Sequence, residues 1–246
     1  MIDPHHPRAK SLQTREQLVE GVKMGITSLN GLISHGRGEA FDYLLSEHSH
    51  DFAIEAINAA AATLVLAKHP VLCTNGNSSA LVAQEYVTLS RLLDCPIEIN
   101  LFHRSKEREQ KIKQHLESFG AKNVLGVGSD ASDIVPGIAS PRKMVSPQGI
   151  SKADVVFIPL EDGDRTEAVV SLSKTVITVD LNPLSRTAKM ANITIVDNIV
   201  RCMSLLIQKI EKYKNLSKEE LEKIIAQYDN AKILLQAEKK IRQGTM

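Results

Sequence analysis

The chain of 246 residues has no tryptophan and only 4% aromatic residues, four Tyr and five Phe. That scarcity argues against the stacking platforms that hold single-stranded nucleic acid, and against a sugar-binding cleft. An excess of charge of one sign is missing too, since 30 Lys and Arg face 29 Asp and Glu. No overall field draws in nucleic acid or an anionic membrane, and any anion site has to be local. The three cysteines, Cys73, Cys95 and Cys202, form no CxxC pair and sit in apolar surroundings, as buried thiols of a reducing cytosol do. The longest apolar stretch, residues 59–67, is too short to cross a bilayer. Residues 1–10, with Pro4, His5, His6 and Pro7, have no apolar centre of the kind a signal peptide needs. These absences predict a cytoplasmic protein with neither a membrane nor a nucleic-acid partner.

Apolar residues then recur with two different periods. Over residues 11–67 the spacing is helical, through Leu12, Leu18, Val22, Ile26, Leu29, Leu32 and Ile33 and again through Ala53, Ile57, Ala60 and Leu64. Thr14 with Gln17 reads as a capping box, Gly25 as an interruption, and His35-Gly36-Arg37-Gly38 as a second break. From Pro70 onward short Val/Ile/Thr runs alternate with helical patterns: 71–74, 97–102, 124–127, 155–159, 175–180 and 193–196. That alternation predicts an α/β fold with a Rossmann-like, mainly parallel sheet flanked by helices. A helical lobe over 1–69 precedes a core over 70–212. The remainder, 213–246, reads as one long helix capped by Ser217 and Glu220, with an apolar stripe through Leu221, Ile224, Ile225, Tyr228, Leu235 and Ile241.

In open α/β sheets ligands sit beyond the carboxyl ends of the strands, so the strand-end loops are the candidate site. The run 175–179 ends on Asp180-Leu181-Asn182-Pro183-Leu184-Ser185-Arg186-Thr187. Its Asp suits ribose hydroxyls, its Arg a phosphate and its amides an anion, although a plain strand-to-helix turn uses the same residue types. Equivalent positions follow other strands: Asn75-Gly76-Asn77, His103-Arg104, the acidic Glu161-Asp162-Gly163-Asp164 and Asp197-Asn198-Ile199. Asp162 or Asp164 suits magnesium or a substrate amine, and Asp164 with Glu167 equally suits a helix cap. Arg37 between Gly36 and Gly38 is free to fork onto phosphate oxygens. Arg15, in what reads as the first turn of a helix, stands where the helix dipole disfavours a cation, and a bound anion would offset that. His48-x-His50 has no third ligand nearby, so no metal site is assigned. Gly126-Val127-Gly128-Ser129-Asp130-Ala131 fits a loose G-x-G-x-x-A dinucleotide pattern, but Pro136-Gly137 follows too closely for the helix it needs, and no P-loop motif is present.

Several of these stretches together resemble the archaeal phosphopantothenate synthetase (4-phosphopantoate:β-alanine ligase) family. They include His6-Pro7-Arg8, Arg15, His35 through Leu44, Asn75-Gly76-Asn77, Pro159 through Ala168, Asp180 through Thr187, and Asp197 through Arg201. The match is weaker over 128–143, and the last helix lies outside it. The resemblance implies a cytoplasmic homodimer on the archaeal route to coenzyme A. Its activity would condense 4-phosphopantoate with β-alanine using ATP, with release of AMP and pyrophosphate and with Mg2+ as the nucleotide's counter-ion. It implies ATP binding by Arg15, Arg37, Asp180, Leu181, Asn182, Arg186, Thr187, Asn198 and Ile199.

Activation of a carboxylate as an acyl-adenylate gives it a good leaving group. For that chemistry Arg15, Arg37 and Arg186 are the expected charge-neutralising residues, and Asp162 or Asp164 the group that orients the amine. Asn75, Asn77, His103 and Arg104 are the expected contacts to the acid substrate. Two other readings remain at this point: an NAD(P)-dependent oxidoreductase using the Gly126 loop, and a non-catalytic nucleotide-sensing module.

Overall fold

Apolar runs hydrophobic on both faces belong inside a parallel sheet. The computed structural model, which describes residues 2–3, 5–6 and 8–244, builds one. Met1, Pro4 and Pro7, used above to read the amino terminus, lie outside the described residues. Helices α1 (Ala9–Lys23), α2 (Leu29–Leu45) and α3 (Asp51–Leu66) come first. There follow β1 (Pro70–Thr74), α4 (Gly76–Leu93), β2 (Ile97–Ile99), α5 (Lys106–Ser118) and β3 (Val124–Leu125). An irregular stretch holds the antiparallel pair β4 (Asp133–Ile134) and β5 (Met144–Val145). Strands β6 (Val155–Phe157), β7 (Thr175–Val179) and β8 (Ile193–Ile195) alternate with α6 (Gly163–Ser171) and α7 (Arg186–Met190). Helices α8 (Ile199–Tyr213), α9 (Lys218–Ala226) and α10 (Asn230–Gln243) close the chain. No helix among the described residues is long and apolar enough to cross a membrane.

The main sheet runs β3-β2-β1-β6-β7-β8 with every pairing parallel. Chain direction across the sheet reverses between β1 and β6, which makes the gap beyond their carboxyl ends the topological switch point. Alternate residues divide between two cores. Leu72, Ile97, Phe157, Ile177 and Ile195 pack under α3, α4, α5 and α8, whereas Val71, Cys73, Val156, Ile158 and Val176 face α6 and the irregular stretch. On the first face the small side chains of α3, Ala53, Ala56 and Ala59 through Ala62, are all buried. Small residues there let α3 approach α8 and β8 closely.

Three helical expectations need correction. First, α2 runs unbroken through His35-Gly36-Arg37-Gly38, because Gly38 is there for close packing: a Cβ on it would lie 3.3 Å from Asn198 Nδ2 and 3.6 Å from Leu181 Cδ1. Second, α1 begins at Ala9 rather than at a Thr14 cap, and Thr14 Oγ1 instead donates to Lys10 O at 2.9 Å. Third, the expected long terminal helix is two helices. Ser217 and Glu220 form the capping box of α9 as the sequence indicates, but Asp229 starts α10 by accepting from Lys232 N at 3.2 Å. The break places Tyr228 Oη and Asn230 Oδ1 to accept from Thr194 N at 3.0 and 2.9 Å. Thr194 lies on the edge strand, whose outward amide would otherwise be left open. Leu235, expected in the apolar stripe, is 66% exposed, and Ile233, Leu234 and Ala237 are the buried residues of α10.

The irregular stretch covers the second face of the sheet through a carboxylate. Glu98, fully buried on β2, accepts from Ser146 N at 3.1 Å and Ile150 N at 2.7 Å. Gly149 leaves it room, since any side chain there would overlap Glu98 Oε2. Burial pushes the Glu98 carboxyl up to about 7, against the pull of the two amide donors. With the folded value above the ordinary 4.5, Glu98 contributes stability below that pH and loses it as pH rises through 7. Denaturant titrations from pH 4.5 to 8 should show a loss of about 3 kcal/mol from this group. Glu98→Gln should lack it, and parallel curves for the two proteins would disprove the assignment.

Candidate active site

Helix α2 lies across the carboxyl ends of the strands and makes the roof of a cleft of about 600 Å³. The floor comes from the loops after β1 (Asn75 to Asn77), β2 (Leu101 to His103), β6 (Leu160 to Asp162), β7 (Asp180 to Pro183) and β8 (Asn198, Ile199). Each tie from the roof to the sheet is specific. Asn77 Nδ2 donates to Gly31 O at 2.9 Å, and a side chain at Gly31 would strike Asn77. Just before α2, Thr27 Oγ1 donates to Gly76 O at 3.1 Å and Arg108 Nε to Ile26 O at 2.8 Å. Farther along, Asn198 Nδ2 donates to Asp42 Oδ2 at 3.3 Å. The buried Arg201 bridges Asp42, 2.8 Å away, and Asp197, 2.7 Å away.

At the switch point Asn75 joins β1 to β6. Its Oδ1 accepts from Asn77 N and Ser78 N at 3.1 Å each, capping α4, while Nδ2 donates to Pro159 O and Leu160 O at 3.3 Å. Leu160 has φ 56°, a left-handed conformation costly for a leucine and common where a site imposes it. Beside it lies a buried charge cluster in which Glu161 pairs with both Arg142 and Arg165. Asp162 Oδ2 accepts from Arg142 Nη1 at 3.0 Å, and Arg165 Nη2 reaches Cys73 Sγ at 3.2 Å. Two guanidinium groups meet two carboxylates, so the cluster is neutral.

The loop after β7 is also organised from within. Asp180 accepts from Asn182 N at 2.9 Å and from the Ser185 hydroxyl, and Asn182 Oδ1 accepts from Leu184 N at 3.0 Å. Burial raises the Asp180 carboxyl above its ordinary value, opposed by Ser185, Asn182 and the nearby Arg37. Asn198 caps α8.

Of the residues singled out in the sequence, the cleft gathers Arg37, Asn75, Asn77, His103, Asp162, Asp180, Leu181, Asn182, Asn198 and Ile199. Five do not line it. Arg15 holds Glu39 with both Nε (2.9 Å) and Nη2 (2.8 Å), and its bonds draw the Glu39 carboxyl below the ordinary range. Arg186 pairs with Glu167 at the surface. Thr187 is buried, with Oγ1 donating to Glu161 O at 2.9 Å. Asp164 sits in the first turn of α6. Arg104 is bound by Glu109, by Gly126 O at 2.9 Å and by Met144 O at 3.2 Å.

The Gly126 loop, read above as a weak dinucleotide motif, already has carboxylates where a pyrophosphate would sit. Gly126 N donates to Asp130 Oδ2 at 2.6 Å and Gly128 N to Glu109 Oε2 at 2.8 Å, and only a short 3-10 turn follows. That removes the geometric support for an oxidoreductase. Two cleft arginines were not singled out, Arg108 and Arg142. Arg142 lies in the irregular stretch, where no periodicity marks it. Arg108 carried a signal, because it is the third residue of α5 after the cap Ser105, and a cation there opposes the helix dipole.

The family model described as phosphopantothenate/pantothenate synthetase matches residues 52–244. A Thermococcus kodakarensis protein named 4-phosphopantoate–β-alanine ligase is 49% identical over 95% of this chain and 89% of its own length. A Methanosarcina mazei protein of the same name is 49% identical over 98% of this chain and 94% of its own. A third, from Thermococcus onnurineus, is 48% identical over 95% of this chain and 89% of its own.

Buried and exposed ion pairs around the cleft should respond differently to truncation. Arg201→Ala strands Asp42 and Asp197 and should cost about 3–5 kcal/mol in chemical denaturation. Arg186→Ala should cost no more than about 1 kcal/mol. Equal losses would show that burial does not govern these pairs.

Proposed function

The chain belongs to the phosphopantothenate/pantothenate synthetase family, and from that membership and its cleft we propose that it is an ATP-dependent acid–amino-acid ligase of coenzyme A biosynthesis. It joins 4-phosphopantoate to β-alanine, giving 4'-phosphopantothenate, AMP and pyrophosphate. One observation carries this reading. Arg37 faces the cleft opposite the Asp180–Asn182 loop and Asn198, and among the described residues its one side-chain bond is a long one, 3.4 Å to Ser34 O. An arginine left without a carboxylate in a cleft of strand-end loops is suited to a phosphate.

In this scheme Asp180 and Asn182 hold the ribose side of ATP, with Leu181, Asn198 and Ile199 against the nucleoside. The phosphopantoate carboxylate attacks the α-phosphorus, the bond to the bridging oxygen breaks, and pyrophosphate leaves. The β-alanine amine then attacks the acyl carbon, expelling AMP and losing its proton to water. Arg37 neutralises charge on the departing phosphates. Arg15 and Arg186 join it by exchanging Glu39 and Glu167 for phosphate, and Thr187 fixes the first turn of α7 behind them. Asp162 stays on Arg142 and turns its other oxygen toward the amine, a role in which Asp164 is placed less directly. Asn75, Asn77 and His103 border the acid, whereas Arg104 serves the fold behind them.

No group of three or more His, Cys, Asp or Glu side chains converges among the described residues. Mg2+ accompanying the nucleotide would supply charge neutralisation at its phosphates. In the proposed division, α2 of the lobe 1–69 is the roof, 70–212 is the nucleotide-binding core, and α9 and α10 of the remainder brace the sheet edge. The working form is a cytoplasmic homodimer.

AMP formation should require 4-phosphopantoate and β-alanine together. Arg37→Ala should lower kcat/KM on the order of 100-fold with an unchanged melting temperature. Nucleotide binding without product under the same conditions would instead identify a sensing module, and unchanged kinetics would remove Arg37 from the site.

A further inference from the structure

The cleft has a second uncompensated cation. Among the described residues three arginines line it, and Arg142 is neutralised by Glu161 and Asp162. Arg37 lies toward Asp180 at the end of β7. Arg108 stands on the other side, beside the ends of β1 and β2. Its side-chain partners among the described residues are carbonyl oxygens, Ile26 O from Nε at 2.8 Å and His103 O from Nη1 at 3.1 Å. Nη2 is not engaged by either and lies over Gly76, the first residue of the 18-residue helix α4. Any side chain at Gly76 would overlap Nη2, so the glycine is what lets the guanidinium reach this place. His103, whose backbone oxygen Arg108 holds, lies 3.2 Å from Asn30 through Nε2 and Nδ2, and both line the cleft.

Two features make this position costly without an anion. Arg108 is partly buried with no carboxylate, and burial alone pulls its guanidinium below the ordinary value. It also stands in the first turn of α5, where the helix dipole opposes a cation. A ligand phosphate would offset both, and the start of α4 favours negative charge at the same spot.

On the function proposed above, the acid substrate carries a phosphate and a carboxylate at opposite ends of a short carbon chain. Its carboxylate must face the α-phosphorus of a nucleotide held at β7 and β8. From β7 back to β1 is two strand spacings, roughly 10 Å. We infer that Arg108, with His103 and Asn30, is the subsite for the substrate's phosphate and is the residue that selects a phosphorylated acid over its unphosphorylated counterpart.

The test compares wild type, Arg108→Gln and Arg108→Lys by calorimetry with ATP, 4-phosphopantoate and pantoate, alongside steady-state AMP formation. Arg108→Gln should weaken 4-phosphopantoate binding on the order of 100-fold. It should raise KM for that acid far more than it lowers kcat and leave ATP affinity within about threefold. Arg108→Lys should recover part of the loss, since it keeps the charge without the fork. Pantoate binding should change little in either variant. Equal weakening of both acids, or of ATP, would mark Arg108 as structural, and unchanged 4-phosphopantoate binding would overturn the subsite. If wild type binds the phosphorylated acid through Arg108 but forms no AMP, the ligase reading fails and the subsite stands.

Discussion

Placement of α2 across the carboxyl ends of the strands is the constraint on which the site depends. A parallel sheet alone offers only an open crevice at its switch point. The crevice becomes a cleft because Gly31 and Gly38 let the helix descend onto Asn77, Asn198 and Leu181. Arg201 then fixes it from beneath by joining Asp42 of the helix to Asp197 at the end of β8. The ion pair is mostly buried, so breaking it strands Asp197, 1% exposed, with little solvent to receive its charge. The roof is accordingly held at the one edge where nucleotide recognition is proposed, and it carries Arg37 over that edge.

Charge is distributed around the cleft by a simple rule. Most guanidinium groups near it already have carboxylates: Arg142 and Arg165 share Glu161, Arg104 has Glu109, and Arg201 has Asp42 and Asp197. These pairs hold the loops in place, and with each arginine already engaged by a carboxylate at most 16% of its side chain is exposed. Arg37 and Arg108 are the cleft arginines that salt bridges leave over. Such an arrangement separates framework from function more clearly than the residue types do, since arginine serves both.

Much of this was legible before any coordinates. Short Val/Ile/Thr runs announced the strands, and the residues just past them, Asn75, Asp180, Asn182 and Asn198, proved to border one cleft. Failures have identifiable causes. Glycine signals both a break and a close approach, and only the neighbours of Gly38, remote in sequence, decide between them. The division between α9 and α10 answers to Thr194, more than 30 residues away, so local periodicity could not reveal it. The dipole argument was sound but was applied to Arg15, which the earlier start of α1 moves out of the first turn, when Arg108 was the residue it described.

The exposed pairs complete the picture. Arg15 and Arg186 are both engaged, with Glu39 and Glu167, yet each is about half exposed or more. An exposed pair such as Arg186 with Glu167 contributes little, typically below about 1 kcal/mol, so the triphosphate of the proposed reaction would displace that carboxylate at small cost, whereas Glu39 is 16% exposed and held by two bonds from Arg15, which makes that exchange the costlier one. The buried pairs beneath the roof have no such freedom. In the proposed scheme, recruitment of a cation from the rim toward a fixed interior is therefore the direction in which this cleft would respond to a nucleotide.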